Sequence, residues 1–68
     1  MAELTPRECQ VLAGLARGLT TREIAWELYI SPKTVEMHCA NIKEKKNLAN
    51  IRQLIVYAAN QLPQLARE

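Results

Sequence analysis

Residues 20–46 read TTREIAWELYISPKTVEMHCANIKEKK, and two helix starts inside this stretch decide the fold. Thr20 followed three residues later by Glu23 is a capping box, in which hydroxyl and carboxylate each accept an amide N–H that the first helical turn leaves free. Ile24, Ala25 and Leu28 then share one side of a short helix predicted over 21–28. Ser31-Pro32 is the second start, with a serine N-cap and a proline at the first helical position, where its missing N–H costs nothing. Only Tyr29 and Ile30 remain for the turn, with Ile30 as its apolar plug. Val35, Cys39 and Ile42 recur at i, i+4 and i+7. The helix predicted over 32–46 therefore has one narrow inner edge and leaves Lys33, Glu36, Met37, Ala40 and Lys43 facing elsewhere.

The flanking sequence supplies two more helices. Thr5-Pro6-Arg7-Glu8 repeats the capping signature, Val11, Leu12, Leu15 and Ala16 form an apolar stripe, and Gly18-Leu19 reads as a left-handed stop, so a helix is predicted over 6–17. Asn47 serves as a left-handed stop for the third helix, Leu48 anchors the link, and Asn50 caps a fourth helix over 51–62. There Ile51, Leu54, Ile55, Val56, Ala58, Ala59 and Leu62 cover more than one stripe, so part of that helix is expected to face a partner. Pro63 disfavours continuation, leaving 64–68 as a frayed tail. The fold class is all-α, a four-helix single domain over 1–68 with no internal repeat.

Composition agrees. Of 68 residues 49% are hydrophobic, yet only Trp26, Tyr29 and Tyr57 are aromatic, so the core must come from Leu, Ile, Val and Ala. No run approaches the roughly 20 apolar residues of a membrane span and Met1 to Arg7 lacks signal-peptide character, so a cytoplasmic protein without membrane association is expected. Cys9 and Cys39 are expected to be reduced apolar fillers. Net charge is only +2, but its distribution is uneven. Residues 1–30 carry Arg7, Arg17 and Arg22 against Glu3, Glu8, Glu23 and Glu27, whereas 31–47 carry Lys33, Lys43, Lys45 and Lys46 against Glu36 and Glu44. No nucleophile with a base, paired carboxylates or glycine-rich phosphate loop is present, and zinc-type spacings are missing. Neither an enzyme, a cofactor nor a metal site is expected.

Two helices joined by so short a turn form a helix-turn-helix unit over about 21–40, whose second helix fits the DNA major groove while its N-terminal amides and the Ser31 and Thr34 hydroxyls meet phosphates. Leu4-Thr5-Pro6-Arg7-Glu8, Val11-Leu12, Gly18, Glu23-Ile24-Ala25, Leu28, Ile30-Ser31, Lys33-Thr34-Val35, His38 and Ile42 together resemble the LuxR/FixJ class of bacterial transcription regulators from about Leu4 to Ala58. The resemblance implies a sequence-specific regulator of transcription that binds double-stranded DNA as a homodimer. It places base contacts at Glu36, Met37 and Ala40, and backbone contacts at Thr21, Arg22, Lys33, Thr34, His38, Asn41, Lys43 and Lys45. Helix four would dimerise through Ile51, Leu54, Ile55, Val56 and Ala59. Lys46 stands where this class usually has leucine, Asn47 where it has glycine and Ile51 where it has arginine. An outward Lys46 adds a further backbone contact.

Other readings stay open at this level. His38 suits either a phosphate contact or packing, and Trp26 either half-buried packing or a contact with a partner. The alternative function is a protein-interaction module of the same fold that engages RNA polymerase or another regulator. Region four of a sigma factor shares the opening and the Glu23-Ile24-Ala25 turn, but His38, Ile42 and the apolar fourth helix argue against it.

Overall fold

A side-chain cap opens each of the four helices in the computed structural model, which describes residues 3–61: α1 (Pro6–Ala16), α2 (Thr21–Leu28), α3 (Pro32–Lys45) and α4 (Ile51–Asn60). Thr5 Oγ1 accepts the Glu8 N–H at 3.1 Å while the Thr5 N–H donates to Glu8 Oε1 at 2.9 Å. Thr20 and Glu23 repeat this reciprocal pair at 3.1 and 2.8 Å. Ser31 Oγ accepts from the Thr34 N–H and Asn50 Oδ1 from the Gln53 N–H. Every start expected from the sequence is therefore closed by its own side chain.

The first three helices all stop on a residue with positive φ. Gly18 (84°), Tyr29 (58°) and Asn47 (58°) reverse the chain, and the amide that follows each reaches back to a helical carbonyl. Leu19 donates to Gly14 O at 3.0 Å, Ile30 to Ala25 O at 3.1 Å and Leu48 to Lys43 O at 2.8 Å, which is the longer bond of a Schellman stop. Gly18 and Asn47 were expected in this role. Tyr29 was not, because a bulky side chain rarely adopts this conformation. The bounds shift slightly: Arg17 and Lys46 act as caps rather than helical residues, and α4 ends at Asn60 with Gln61 as its cap. The expected end at 62 and the tail beyond it lie outside the described residues.

The core is built from Val11, Leu12 and Leu15 of α1, Ile24 and Ala25 of α2, Val35, Cys39 and Ile42 of α3, and Leu54 and Ala58 of α4. α1 and α3 each pack against all three other helices, whereas α2 and α4 do not meet. α1 and α3 thus form the centre of the domain, with α2 and α4 each packed against both. No helix among the described residues is long and apolar enough to cross a membrane.

Candidate nucleic-acid interface

Because Val35, Cys39 and Ile42 occupy the core edge of α3, the opposite edge is left to solvent. Lys33, Glu36, Met37, Ala40, Asn41 and Glu44 are exposed along it, and Met37 retains 59% of its accessible surface. Lys33, Met37, Ala40 and Glu44 follow i, i+4, i+7, i+11 spacing, a single stripe down the rod with Glu36 beside it. Glu36, Met37 and Ala40 therefore share one uncovered face. Glu44 lies on the same stripe and was absent from the expected contact set, although its spacing from Ala40 identifies it.

The start of α3 is compact and polar. Ser31 Oγ accepts the Thr34 N–H and lies 2.9 Å from Thr34 Oγ1, so the two hydroxyls share one hydrogen bond and one hydroxyl proton remains for an outside acceptor. Pro32 has no N–H. The Lys33 amide is left without a partner among the described residues, next to its own ammonium group. Arg22, exposed on α2, lines a shallow groove together with Pro32, and Thr21 sits half-buried beside it at the start of α2.

Lys45 and His38 depart from the outward set. Lys45 Nζ lies 2.7 Å from Glu8 Oε1 and 3.2 Å from the Glu3 carbonyl oxygen, and its side chain is only 27% exposed. Lys45, expected at the DNA backbone, has its ammonium held in this structure by a carboxylate that is almost fully buried. Burial alone would push the Glu8 carboxyl up, but hydrogen bonds from Lys45 and from the Thr5 N–H, with the charges of Lys45 and His38, outweigh it and hold the group below its usual range. His38 is half-buried and its Nδ1 is enclosed without a hydrogen-bond partner among the described residues, so any outside contact falls to Nε2. With Lys45 set aside, Lys33, Lys43 and Lys46 face Glu36 and Glu44 along α3, a nearly balanced surface.

On α4, Ile51, Ile55 and Val56 are 47%, 44% and 54% exposed, and Ala59 is exposed beside them. Ile51, Ile55 and Ala59 repeat every four residues, forming an apolar stripe exposed among the described residues. Leu54, expected in the same set, is fully buried with Ala58. Its position one residue from Ile55 turns it about 100° towards the core, where its side chain is fully buried. Trp26 also differs from its expected half-buried packing: it is 84% exposed, as is 95% of its neighbour Tyr29. Cys9 and Cys39 are free thiols, and burial pushes the Cys39 thiol up, with Lys43 opposing and Glu36 reinforcing the change.

The family described as bacterial regulatory proteins, luxR family, matches residues 2–58. The chain is 53% identical over 47 residues to the transcriptional regulatory protein UhpA of Escherichia coli, covering 69% of this chain and 24% of that protein. It is 42% identical over 55 residues to the transcriptional regulatory protein FixJ of Bradyrhizobium diazoefficiens, covering 81% and 27%. It is 44% identical over 55 residues to the transcriptional regulatory protein LiaR of Bacillus subtilis, covering 81% and 26%. The aligned region thus spans about a quarter of each relative's length. No solved structure matches at a significant level.

Proposed function

We propose, because the chain belongs to the luxR family of bacterial regulatory proteins, that it acts in the cytoplasm as a sequence-specific DNA-binding regulator of transcription, with α3 laid in the major groove. The observation that carries this reading is the uncovered edge of α3, wide open from Lys33 to Glu44 while its opposite edge is locked in the core. A groove about 12 Å wide admits such a helix. Glu36, Met37 and Ala40 then meet base edges. Ser31, Thr34 and the Lys33 amide meet phosphates at the helix start, with Thr21 and Arg22 from α2 and Asn41, Lys43, Lys46 and the Nε2 edge of His38 farther along. The apolar stripe of Ile51, Ile55, Val56 and Ala59 pairs two copies, so that two recognition helices address one DNA site. Glu36 and Glu44 offset part of the lysine charge, which makes affinity modest beside a lysine-rich relative.

Fluorescence anisotropy with duplexes selected from a random pool tests this. Each phosphate neutralised contributes about 0.9 to the slope of log affinity against log salt, so replacing Lys33, Lys43 and Lys46 by alanine together should lower the slope by about 2.7. Binding that ignores both salt and this variant would remove the proposal.

A second reading is supported by Trp26 and Tyr29. Arg22 and Trp26 lie one turn apart on α2 and line one shallow groove with Tyr29 at its left-handed end, and all three are residue types enriched at binding hot spots. A protein-interaction role, with RNA polymerase or another regulator as partner, would use that face. Loss of a pulled-down partner on Trp26→Ala with DNA affinity intact would favour it.

A further inference from the structure

We infer that Glu8 and Lys45 serve DNA binding as a positioning pair, with the Glu8 carboxylate on α1 holding the recognition helix at its working angle through Lys45. This rests on the DNA-binding reading and adds residues that do not touch DNA. By sequence Lys45 belongs with the phosphate-facing lysines. By geometry it points the other way, onto a single oxygen, Glu8 Oε1, which also accepts the Thr5 N–H. One atom therefore closes the start of α1 and fastens the end of α3. The same ammonium donates to the Glu3 carbonyl oxygen and so ties down the segment ahead of α1.

The end of the recognition helix is thereby held from one point on α1. The energetics favour this arrangement over release to DNA. Freeing Lys45 for a solvent-side phosphate would leave a carboxylate that is 96% covered without its counter-charge, and an uncompensated buried charge costs far more than one screened phosphate contact returns. Lys43 and Lys46, which have no such partner among the described residues, remain the phosphate ligands.

The test measures salt-dependent DNA affinity for wild type, Lys45→Gln, Lys45→Arg, Glu8→Gln and the double Gln variant, each checked for helix content. Lys45→Gln and Glu8→Gln should each weaken binding roughly ten-fold while leaving the salt slope unchanged. Lys45→Arg should restore most of the affinity. The double variant should be no weaker than the weaker single. A fall in slope of about 0.9 for Lys45→Gln, with Glu8→Gln binding normally, would show a direct phosphate contact and overturn the inference. Because a Gln variant that does not fold would silence that comparison, the side-chain carboxyl of Glu8 is also titrated by carbon NMR in wild type, free and DNA-bound. A midpoint that rises on DNA no more than those of the exposed carboxyls supports the pair, and a larger rise shows that Lys45 has left it. A wild type that binds no duplex at any salt would instead reject the DNA-binding reading, and this inference with it.

Discussion

Gly14 on α1 sits so close to Ile24 on α2 that a Cβ added to the glycine would lie 2.7 Å from Ile24 Cγ1 and 3.0 Å from Cδ1. The contact sets the approach of α2, and hence of the turn and α3, to α1. In an exposed helix, Gly→Ala stabilises by about 1 kcal/mol. Here overpacking, typically about 1–3 kcal/mol, opposes that gain, because Cγ1 is not a free side-chain end. Gly14→Ala is expected to lower the melting temperature by several degrees in a thermal scan, and Ile24→Ala should be less damaging in the Gly14→Ala background than alone. A more stable Gly14→Ala variant would show that the helices are not locked at this point.

Tyr29 offers the opposite trade. Its φ of 58° places a bulky residue in the left-handed region, which costs roughly 1–2 kcal/mol, while its ring is 95% exposed and contributes little packing. Tyr29→Gly relieves that strain and gives back part of the gain through the freer unfolded chain. Urea unfolding should show a net stabilisation of about 0.5 kcal/mol. A loss instead would mean that the ring makes a stabilising contact.

Acid should expose the Glu8 contribution. Its carboxyl is held below its usual range in the folded state, since the Lys45 and Thr5 hydrogen bonds and nearby positive charge outweigh the upward push of burial. Its stabilising contribution is therefore fully present above the unfolded value of about 4.3 and lost as pH falls through the folded value. Urea titrations between neutral pH and the acid limit should show Glu8→Gln less stable at neutral pH, by about 2 kcal/mol for a hydrogen bond to a charged group. The two curves should draw together as pH falls below the unfolded value and through the lower folded one. A gap independent of pH would assign the effect to packing alone.

Leu54 and Ile55 are neighbours with opposite fates. Leu54 is fully buried, so Leu54→Ala should cost about 2–5 kcal/mol by opening a cavity. Ile55 is 44% exposed on the uncovered stripe, and Ile55→Asp should leave monomer stability within about 0.5 kcal/mol while shifting sedimentation towards the monomer. An unchanged assembly state would remove α4 from the interface.

The helix starts were legible because each is written in adjacent residues: Thr5 with Glu8, Thr20 with Glu23, Ser31 with Pro32. Capping is local chemistry, and local chemistry survives folding. The inner edge of α3 was likewise readable from the spacing of Val35, Cys39 and Ile42. What sequence spacing did not reveal depends on contacts across the fold. Lys45 looks like its neighbours Lys43 and Lys46 until Glu8, 37 residues away, takes it. Leu54 resembles Ile55 until the core selects one. Gly14 reads as a weak spot in a helix until Ile24 arrives opposite it. Trp26 could be read as half-buried packing or as a partner contact, and only the closed core shows how fully it is exposed.

The base preference of the recognition face follows from what its side chains can and cannot donate. Met37 and Ala40 have no hydrogen-bonding groups suited to base edges, so in the proposed complex they would meet apolar features such as the thymine methyl. The carboxylate of Glu36 accepts only, which suits the amino group of cytosine and is repelled by the N7 acceptor that accompanies the amino group of adenine. Glu36→Gln supplies a donor and an acceptor on one planar amide, the pairing that fits adenine. The substitution also removes a negative charge from a surface approached by phosphates. Sequencing of duplexes selected by each protein should therefore show cytosine replaced by adenine at one position of each half-site, with discrimination of about 1–3 kcal/mol. Overall affinity should rise slightly. If the two selections return the same base at every position, the carboxylate does not read the groove, and α3 must sit in it at a different rotation about its own axis.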